Sequence, residues 1–351
     1  MDFGEENLIH GGDLYDKKTE YDLSVNLNPN PCPSVIRTSL ERALGNVGHY
    51  PDILQRDFTE AVAEAENKLL KGPFLTRENV LGGNGASELI FAIIRLISPK
   101  KVMLPVPGFY GYRHGLMALK DVNIIEYPLE EDKDFLLTED FASKISDDTD
   151  LIILTNPNNP TGRTISPGVM DIILEKCKKT GTAVLIDECF LHLSEGAEST
   201  VRYINDVSNL FVVNAYTKLF GIPGVRIGYC MASSENITRL KNFLPEWNMS
   251  VFALEAGYAC AKHILDTDYV AESVGLISHQ RQELTAFLES KKIKVYPSDT
   301  CFVLVRSEKD LYDYLLNKKV LIRDCSNFSG LAKGFYRIAV SGSSILIDYL
   351  S

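Results

Sequence analysis

Four short apolar runs constrain this chain more than any other feature: Lys101-Val-Met-Leu104, Leu151-Ile-Ile-Leu-Thr155, Thr182-Ala-Val-Leu-Ile186 and Leu210-Phe-Val-Val-Asn214. Each reads as a strand, and none alternates apolar with polar residues, so each must be covered on both faces. Helical stretches near 86–97, 167–180 and 199–206 lie between some of them. Buried strands separated by helices imply an α/β fold built on a parallel or mostly parallel sheet.

Residues 1–35 read as an irregular arm, with Gly11-Gly12 and a cluster of Asn and Pro at 26–33. Helical patterns follow at Ser34–Ala43 and Arg56–Leu70, and the strand-and-helix alternation extends to about residue 235, defining a large domain over 36–235. Beyond it come helical patterns at 237–243, 253–264 and 269–291. Apolar segments at 294–297, 301–305, 320–323 and 335–340 follow them, which suggests a smaller α+β domain over 236–351.

A net charge of −11 over 351 residues argues against nucleic acid or an anionic membrane as a partner. Seven cysteines, at 32, 177, 189, 230, 260, 301 and 325, are odd in number and never spaced Cys-x-x-Cys. That pattern excludes the usual disulfide and zinc frameworks, predicts no metal, and fits a reducing cytoplasm. The chain opens on an acidic segment without an apolar core, and no apolar run approaches membrane-spanning length.

In an open α/β sheet, ligands collect beyond the carboxyl ends of the strands. Four of those ends carry unusual residues here: Pro105-Val-Pro-Gly108-Phe109-Tyr110, Asn156-Pro-Asn-Asn159-Pro-Thr-Gly162, Asp187-Glu188 and Thr217-Lys218. A fifth element, Gly82-Gly83-Asn84-Gly85-Ala86, is a glycine turn opening a helix. Such a turn suits an anion, although plain chain geometry explains it equally. The dinucleotide fingerprint Gly-x-Gly-x-x-Gly and the phosphate loop ending in Gly-Lys-Ser/Thr are both absent from this turn. Taken singly, Lys218 reads as a surface charge, Asp187 as a helix N-cap, Phe109 as core and Arg226 as a salt-bridge partner.

Taken together, Asn-Pro-Thr-Gly, Asp-Glu, Thr-Lys and Arg226 resemble fold type I pyridoxal-phosphate enzymes, the class I and II aminotransferase family, over most of the chain. The resemblance implies an aspartate-aminotransferase-like fold: a mostly parallel seven-stranded sheet in the large domain and a smaller α+β C-terminal domain. It implies pyridoxal 5′-phosphate as cofactor, held by Lys218 through a Schiff base, with Lys218 then serving in proton transfer. Asp187 then pairs with the pyridine nitrogen, Asn159 with the ring O3′, and Phe109 stacks on the ring. Asn84, Gly85, Ala86, Thr217 and Arg226 hold the phosphate. Tyr50, in His49-Tyr50-Pro51-Asp52, corresponds to a tyrosine that reaches the phosphate in a neighbouring subunit, which implies a homodimer with shared sites.

Within the family, Arg337 matches the residue that binds the substrate carboxylate. Arg323 matches one that binds a substrate phosphate in histidinol-phosphate aminotransferases and threonine-phosphate decarboxylases. Ile9-His10-Gly11-Gly12, Ser24-Val-Asn26-Leu-Asn28-Pro29 and Cys325-Ser-Asn-Phe-Ser-Gly-Leu331 look like the decarboxylase branch. That likeness places His10 and Asn28 near the substrate phosphate, although a solvated arm residue is the other reading of His10. Phe190 agrees with the decarboxylase branch, since the aminotransferases usually carry a tyrosine three residues after the aspartate. Ser341-Gly342 departs from it, because the decarboxylase pattern has a second arginine there. The sequence therefore predicts an enzyme acting on a phosphorylated amino acid, by decarboxylation in the cobalamin pathway or, as the alternative, by transamination with 2-oxoglutarate.

Overall fold

The computed structural model describes residues 17–350. His10 lies outside the described residues. In chain order the strands are β1 (Tyr21–Asp22), β2 (Val80–Asn84), β3 (Lys101–Val106), β4 (Asn123–Pro128), β5 (Leu151–Thr155), β6 (Ala183–Asp187), β7 (Leu210–Asn214), β8 (Ile227–Ala232), β9 (Lys294–Val295), β10 (Phe302–Arg306), β11 (Val320–Leu321), β12 (Arg323–Asp324) and β13 (Phe335–Ala339). The large sheet has seven strands in the order β2-β8-β7-β6-β5-β3-β4, and only β8 runs against the rest.

Both faces of this sheet are covered, as continuous apolar strands require. Leu151, Ile153, Leu185, Phe211 and Val213 pack into one buried cluster with Leu89, Ile90 and Ile93 of the helix Ala86–Ile97. Their neighbours Ile152, Leu154, Val184, Ile186 and Val212 pack into the other, with Ile173 and Leu174 of the helix Pro167–Thr180. The second helix is bounded by its sequence. Ser166 Oγ accepts the Val169 N–H, Pro167 occupies the first turn, and Gly181 ends the helix at φ +74°. Its end delivers the chain into β6, and so to Asp187.

Four expectations change. The glycine stretch 80–84 is strand β2, paired with β8, and only Gly85 turns. Strand β8, Ile-Gly-Tyr-Cys-Met-Ala, is wholly buried, yet its glycine and tyrosine interrupt the apolar pattern that would reveal it. Strand β4 sits at the sheet edge, half-exposed, and so lacks an apolar run. The helix expected at 199–206 is a short 3₁₀ turn, Thr200–Tyr203.

The C-terminal sheet has the order β12-β13-β10-β9 and is antiparallel throughout. The run 320–323 divides: β11 pairs in parallel with β1 of the arm, while β12 joins the four-stranded sheet. The arm is thereby stitched to the C-terminal layer. The helix Val251–Asp266, placed by sequence in the C-terminal unit, packs on Ser34–Ala43 and Arg56–Leu70, with Gly257 against the Phe58 ring. Among the described residues no helix is long and apolar enough to cross a membrane, and no His, Cys, Asp and Glu cluster could hold a metal ion.

Candidate active site

A cleft of about 380 Å³ opens where β5, β6 and β7 end, between the large sheet and the β12–β13 pair. Lys218 lies on its floor, in the one-turn helix Tyr216–Leu219 that follows β7. It is half-buried, and Nζ makes no hydrogen bond or ion pair among the described residues. Burial lowers its pKa below the usual lysine value, and the Arg337 charge adds to the effect. The result is an amine shifted toward its nucleophilic, neutral form. Phe190 lies nearby, with its ring centroid 5.9 Å from Nζ and its edge against Phe302.

Asp187 ends β6, in register with Thr155 of β5. Its carboxylate is buried and fixed from two sides: the Tyr112 hydroxyl donates to Oδ2 at 2.8 Å, and the Cys189 N–H donates to Oδ1 at 3.0 Å. Tyr112 is itself 2.8 Å from Thr155 Oγ1. Asp187 is therefore a buried carboxylate held in place, and the turn after it is pinned by Glu188. Glu188 accepts from Ser199 Oγ and from the N–H and hydroxyl of Thr200. Burial pushes the Glu188 carboxyl up to about 7.

At the other end of the cleft, Gly85 precedes the helix Ala86–Ile97, whose first turn has no side-chain cap. Ala86, Ser87, Thr217 and Arg226 line this end. Glycine is required twice here. Gly85 has φ +81°, and a Cβ on it would lie 2.3 Å from Arg226 Nη2; a Cβ on Gly228 would lie 2.4 Å from the Ala86 nitrogen. Open N–H groups at a helix start, beside a hydroxyl and a guanidinium, form a site for a phosphate dianion.

The opposite wall carries two arginines. Arg323 and Arg337 face each other in the β12–β13 register and both line the cleft. Arg337 is 6% exposed, donating to Asn159 Oδ1 and to the Ser24 carbonyl at 2.6 Å each, while its Nε has no partner. No carboxylate pairs with it among the described residues, and burial pulls its pKa down to about 10. A buried guanidinium without a counter-charge is costly, and an anion entering the cleft relieves that cost.

The family model for class I and II aminotransferases matches residues 18–350. The chain belongs to this family. It is 33% identical, over 94% of this chain and 89% of the relative, to a protein of Caldanaerobacter subterraneus named provisionally as a threonine-phosphate decarboxylase. The solved histidinol-phosphate aminotransferase of Clostridium acetobutylicum superposes with a TM-score of 0.83 at 29% identity, covering 94% of this chain and 98% of that one. A Thermus thermophilus aspartate aminotransferase variant superposes at 0.80 with 18% identity, over 93% and 90%, and so shares the fold. This aminotransferase-family protein is a pyridoxal-phosphate enzyme with the aspartate-aminotransferase fold.

The cleft fits that cofactor. It offers, at Lys218, an amine without a partner among the described residues, a fixed buried carboxylate at Asp187, and, at Ala86, Ser87, Thr217 and Arg226, a set of groups that suits a phosphate. Phe109 and Asn159 also line it. Two residues expected at the site, Asn84 and Asn28, are placed elsewhere. The Asn84 N–H is donated to Glu88 Oε2, and the residue lies outside the cleft lining. Asn28 is buried behind Lys218: its N–H donates to the Lys218 carbonyl, and its side chain to the Leu219 carbonyl and Ser273 Oγ. It braces the lysine turn rather than facing a ligand. Tyr50 is 81% exposed and rests on Trp247 beside a separate depression.

Sequence reading passed over Tyr112, Ser24 and Asn26. Asn26 is 2% exposed and lines the cleft, with Oδ1 lacking a partner. The signal for it was its place in the arm segment Ser24-Val-Asn26-Leu-Asn28-Pro29, which does not say which of those side chains faces the cleft. Tyr112 sits two residues beyond Tyr110 on a helix with no distinguishing motif.

Proposed function

We propose that this enzyme acts on a phosphorylated amino acid, as a decarboxylase of the threonine-phosphate type. The observation that carries the reading is the facing pair Arg323 and Arg337 above Lys218. Like charges directly opposite on one strand pair repel, and a ligand with two anionic groups offsets that repulsion. O-phospho-L-threonine has two such groups, a carboxylate and a phosphate, whereas histidinol phosphate has only the phosphate. In this reading Arg337 takes the carboxylate and Arg323 the phosphate, while Lys218 moves the proton at the substrate Cα. When bound, pyridoxal phosphate supplies the electron sink into which the broken bond's electrons pass. Phe190, lacking a hydroxyl, agrees with the decarboxylase branch.

A histidinol-phosphate-type aminotransferase is the second reading, favoured by the 29% identity to the solved aminotransferase. A screen of O-phospho-L-threonine, O-phospho-L-serine and histidinol phosphate, read by product mass, separates the two. Highest kcat/KM with O-phospho-L-threonine supports the first, and highest kcat/KM with histidinol phosphate replaces it with the second.

The proposal extends to a homodimer. Leu44, Val47, Tyr50, Ile53, Leu54, Trp247 and Tyr258 are exposed apolar residues on two neighbouring segments, and a second copy of the chain would cover them. Tyr50 would then reach the partner's cofactor phosphate. Light scattering of the purified enzyme tests it, and a monomer mass at micromolar concentration counts against it. Seven unpaired cysteines support a cytoplasmic setting.

A further inference from the structure

Helix Arg56–Leu70 carries a charge where its own periodicity calls for none. Phe58, Val62, Ala65 and Leu69 recur at helical spacing on its apolar face, and Glu66 falls among them. The Glu66 side chain is 1% exposed. Burying a carboxylate is costly, and a leucine there would fill a similar volume with no charge to desolvate. Stability alone therefore does not account for a glutamate at this position.

Its partners come from two elements that also build the cleft. His192 Nε2 lies 2.9 Å from Glu66 Oε1, and the Tyr229 hydroxyl donates to the same oxygen. A carboxylate only accepts, so His192 carries its proton on Nε2. His192 sits in the loop that starts at Asp187, and that loop is closed on itself. The Leu191 N–H donates to the Glu188 carbonyl at 2.8 Å, the Leu193 N–H to the Phe190 carbonyl at 3.0 Å, and Ser194 Oγ to the Phe190 carbonyl at 2.7 Å. Asp187 and Phe190 of this loop line the cleft. Tyr229 belongs to β8, opposite Asn214 at the end of β7. Its ring lies 4.9 Å from that of Tyr216, two residues before Lys218, and its neighbour Gly228 packs against the Ala86 nitrogen. One buried oxygen thus joins the Asp187 loop to the strand behind Lys218 and the Gly85–Ala86 turn.

We propose that Glu66 is a positioning residue for the cofactor: from behind the site, its carboxylate tethers the Asp187–His192 loop to strand β8 and so sets the distance between Asp187 and the phosphate end of the cleft. Pyridoxal phosphate has a ring nitrogen at one end and a phosphate at the other, so its affinity depends on that distance being held. Glu66 itself is absent from the cleft lining and acts only through His192 and Tyr229. The inference rests on the cleft as the cofactor site and is independent of the substrate the enzyme takes.

The test is the dissociation constant of pyridoxal phosphate, measured by equilibrium dialysis of the purified holoenzyme and followed by the visible absorbance of the bound cofactor. Glu66→Leu removes both hydrogen bonds and should raise the constant about tenfold, the size of one lost hydrogen bond to a charged group. It also leaves His192 and Tyr229 without their acceptor, which disturbs packing on its own account. The triple variant Glu66→Leu, His192→Leu, Tyr229→Phe removes those polar groups and separates the two roles. A tether predicts that the triple variant remains about tenfold weaker than wild type although its core is apolar and filled. A merely structural role predicts that cofactor affinity returns to within about twofold of wild type, and that result overturns the proposal. Glu66→Gln keeps an acceptor for both donors and should stay within about threefold of wild type, whereas a loss as large as that of Glu66→Leu also overturns the proposal. Lys218→Ala separates this inference from the site on which it rests. If that variant keeps the absorbance of the covalently held cofactor, the assignment of the cleft falls and the inference with it.

Discussion

The floor of the cleft and its far wall are built in different ways. Thr155 and Asp187 end two adjacent strands of one sheet in register, and Lys218 sits in the one-turn helix that follows the next strand, all over a buried core. The wall is assembled from Arg323 on a two-residue strand, Arg337 on the neighbouring strand, and Ser24 of the arm, which is 313 residues from Arg337 in sequence. A floor of this kind is rigid because each residue inherits its position from the sheet. The wall depends on three separate segments docking at once. Chemistry common to many substrates belongs on the first, and selection among substrates on the second.

Substitutions should follow that division. The largest effect is expected from Lys218→Ala, which should cut turnover at least ~1000-fold, with loss of the visible absorbance of the covalently held cofactor. Retained absorbance and turnover would remove Lys218 from the floor. Arg337→Ala should lower kcat/KM for a carboxylate-bearing substrate by about 100-fold, mostly through KM, since two hydrogen bonds from a charged donor set are lost. An unchanged KM would move the carboxylate elsewhere.

A smaller effect is expected from Tyr112→Phe, which removes one donor from the Asp187 carboxylate and should raise the cofactor dissociation constant roughly tenfold. The smallest concerns the joint between the two regions. Glu131, just after β4, accepts from Lys294, Tyr296 and Arg306 on or beside β9 and β10. The Tyr296 hydroxyl is the main cause of a carboxyl pKa lowered from 4.5 to about 2, with Lys294 and Arg306 adding. A depressed carboxyl stabilises the fold above its unfolded pKa and loses that contribution as pH falls through its folded one. Glu131→Gln should therefore melt lower than wild type above pH 4.5, by under about 2 °C for a partly exposed group. The difference should close as pH approaches 2, and a gap independent of pH would refute the ionic linkage.

The same division decides what could be read from sequence. Helices Ser34–Ala43, Arg56–Leu70, Ala86–Ile97 and Pro167–Thr180 carry their own periodicity and boundary residues, and the structure has them at those bounds. Strands β5, β6 and β7 announce themselves because burial on both faces makes them continuously apolar. Strand β8, equally buried, stays hidden because the Gly85–Ala86 turn packed against it demands a glycine at its second residue, Gly228. Lys218, Asp187 and Arg226 lie beside strand ends or glycine turns that a sequence displays. Tyr112, Asn26 and Glu66 acquire their places only through contacts between distant segments, which local pattern does not encode. Asn28 illustrates the converse: a conspicuous motif residue whose side chain supports the lysine turn from behind.

The central claim is that the two arginines of the wall orient a phosphorylated amino acid so that its carboxylate leaves. Carboxyl-labelled O-phospho-L-threonine, given to the holoenzyme together with 2-oxoglutarate, tests it most directly. The account predicts labelled carbon dioxide and an equal amount of aminopropanol phosphate, with no glutamate formed. Label retained in a keto acid, with matching glutamate and no carbon dioxide, would contradict it.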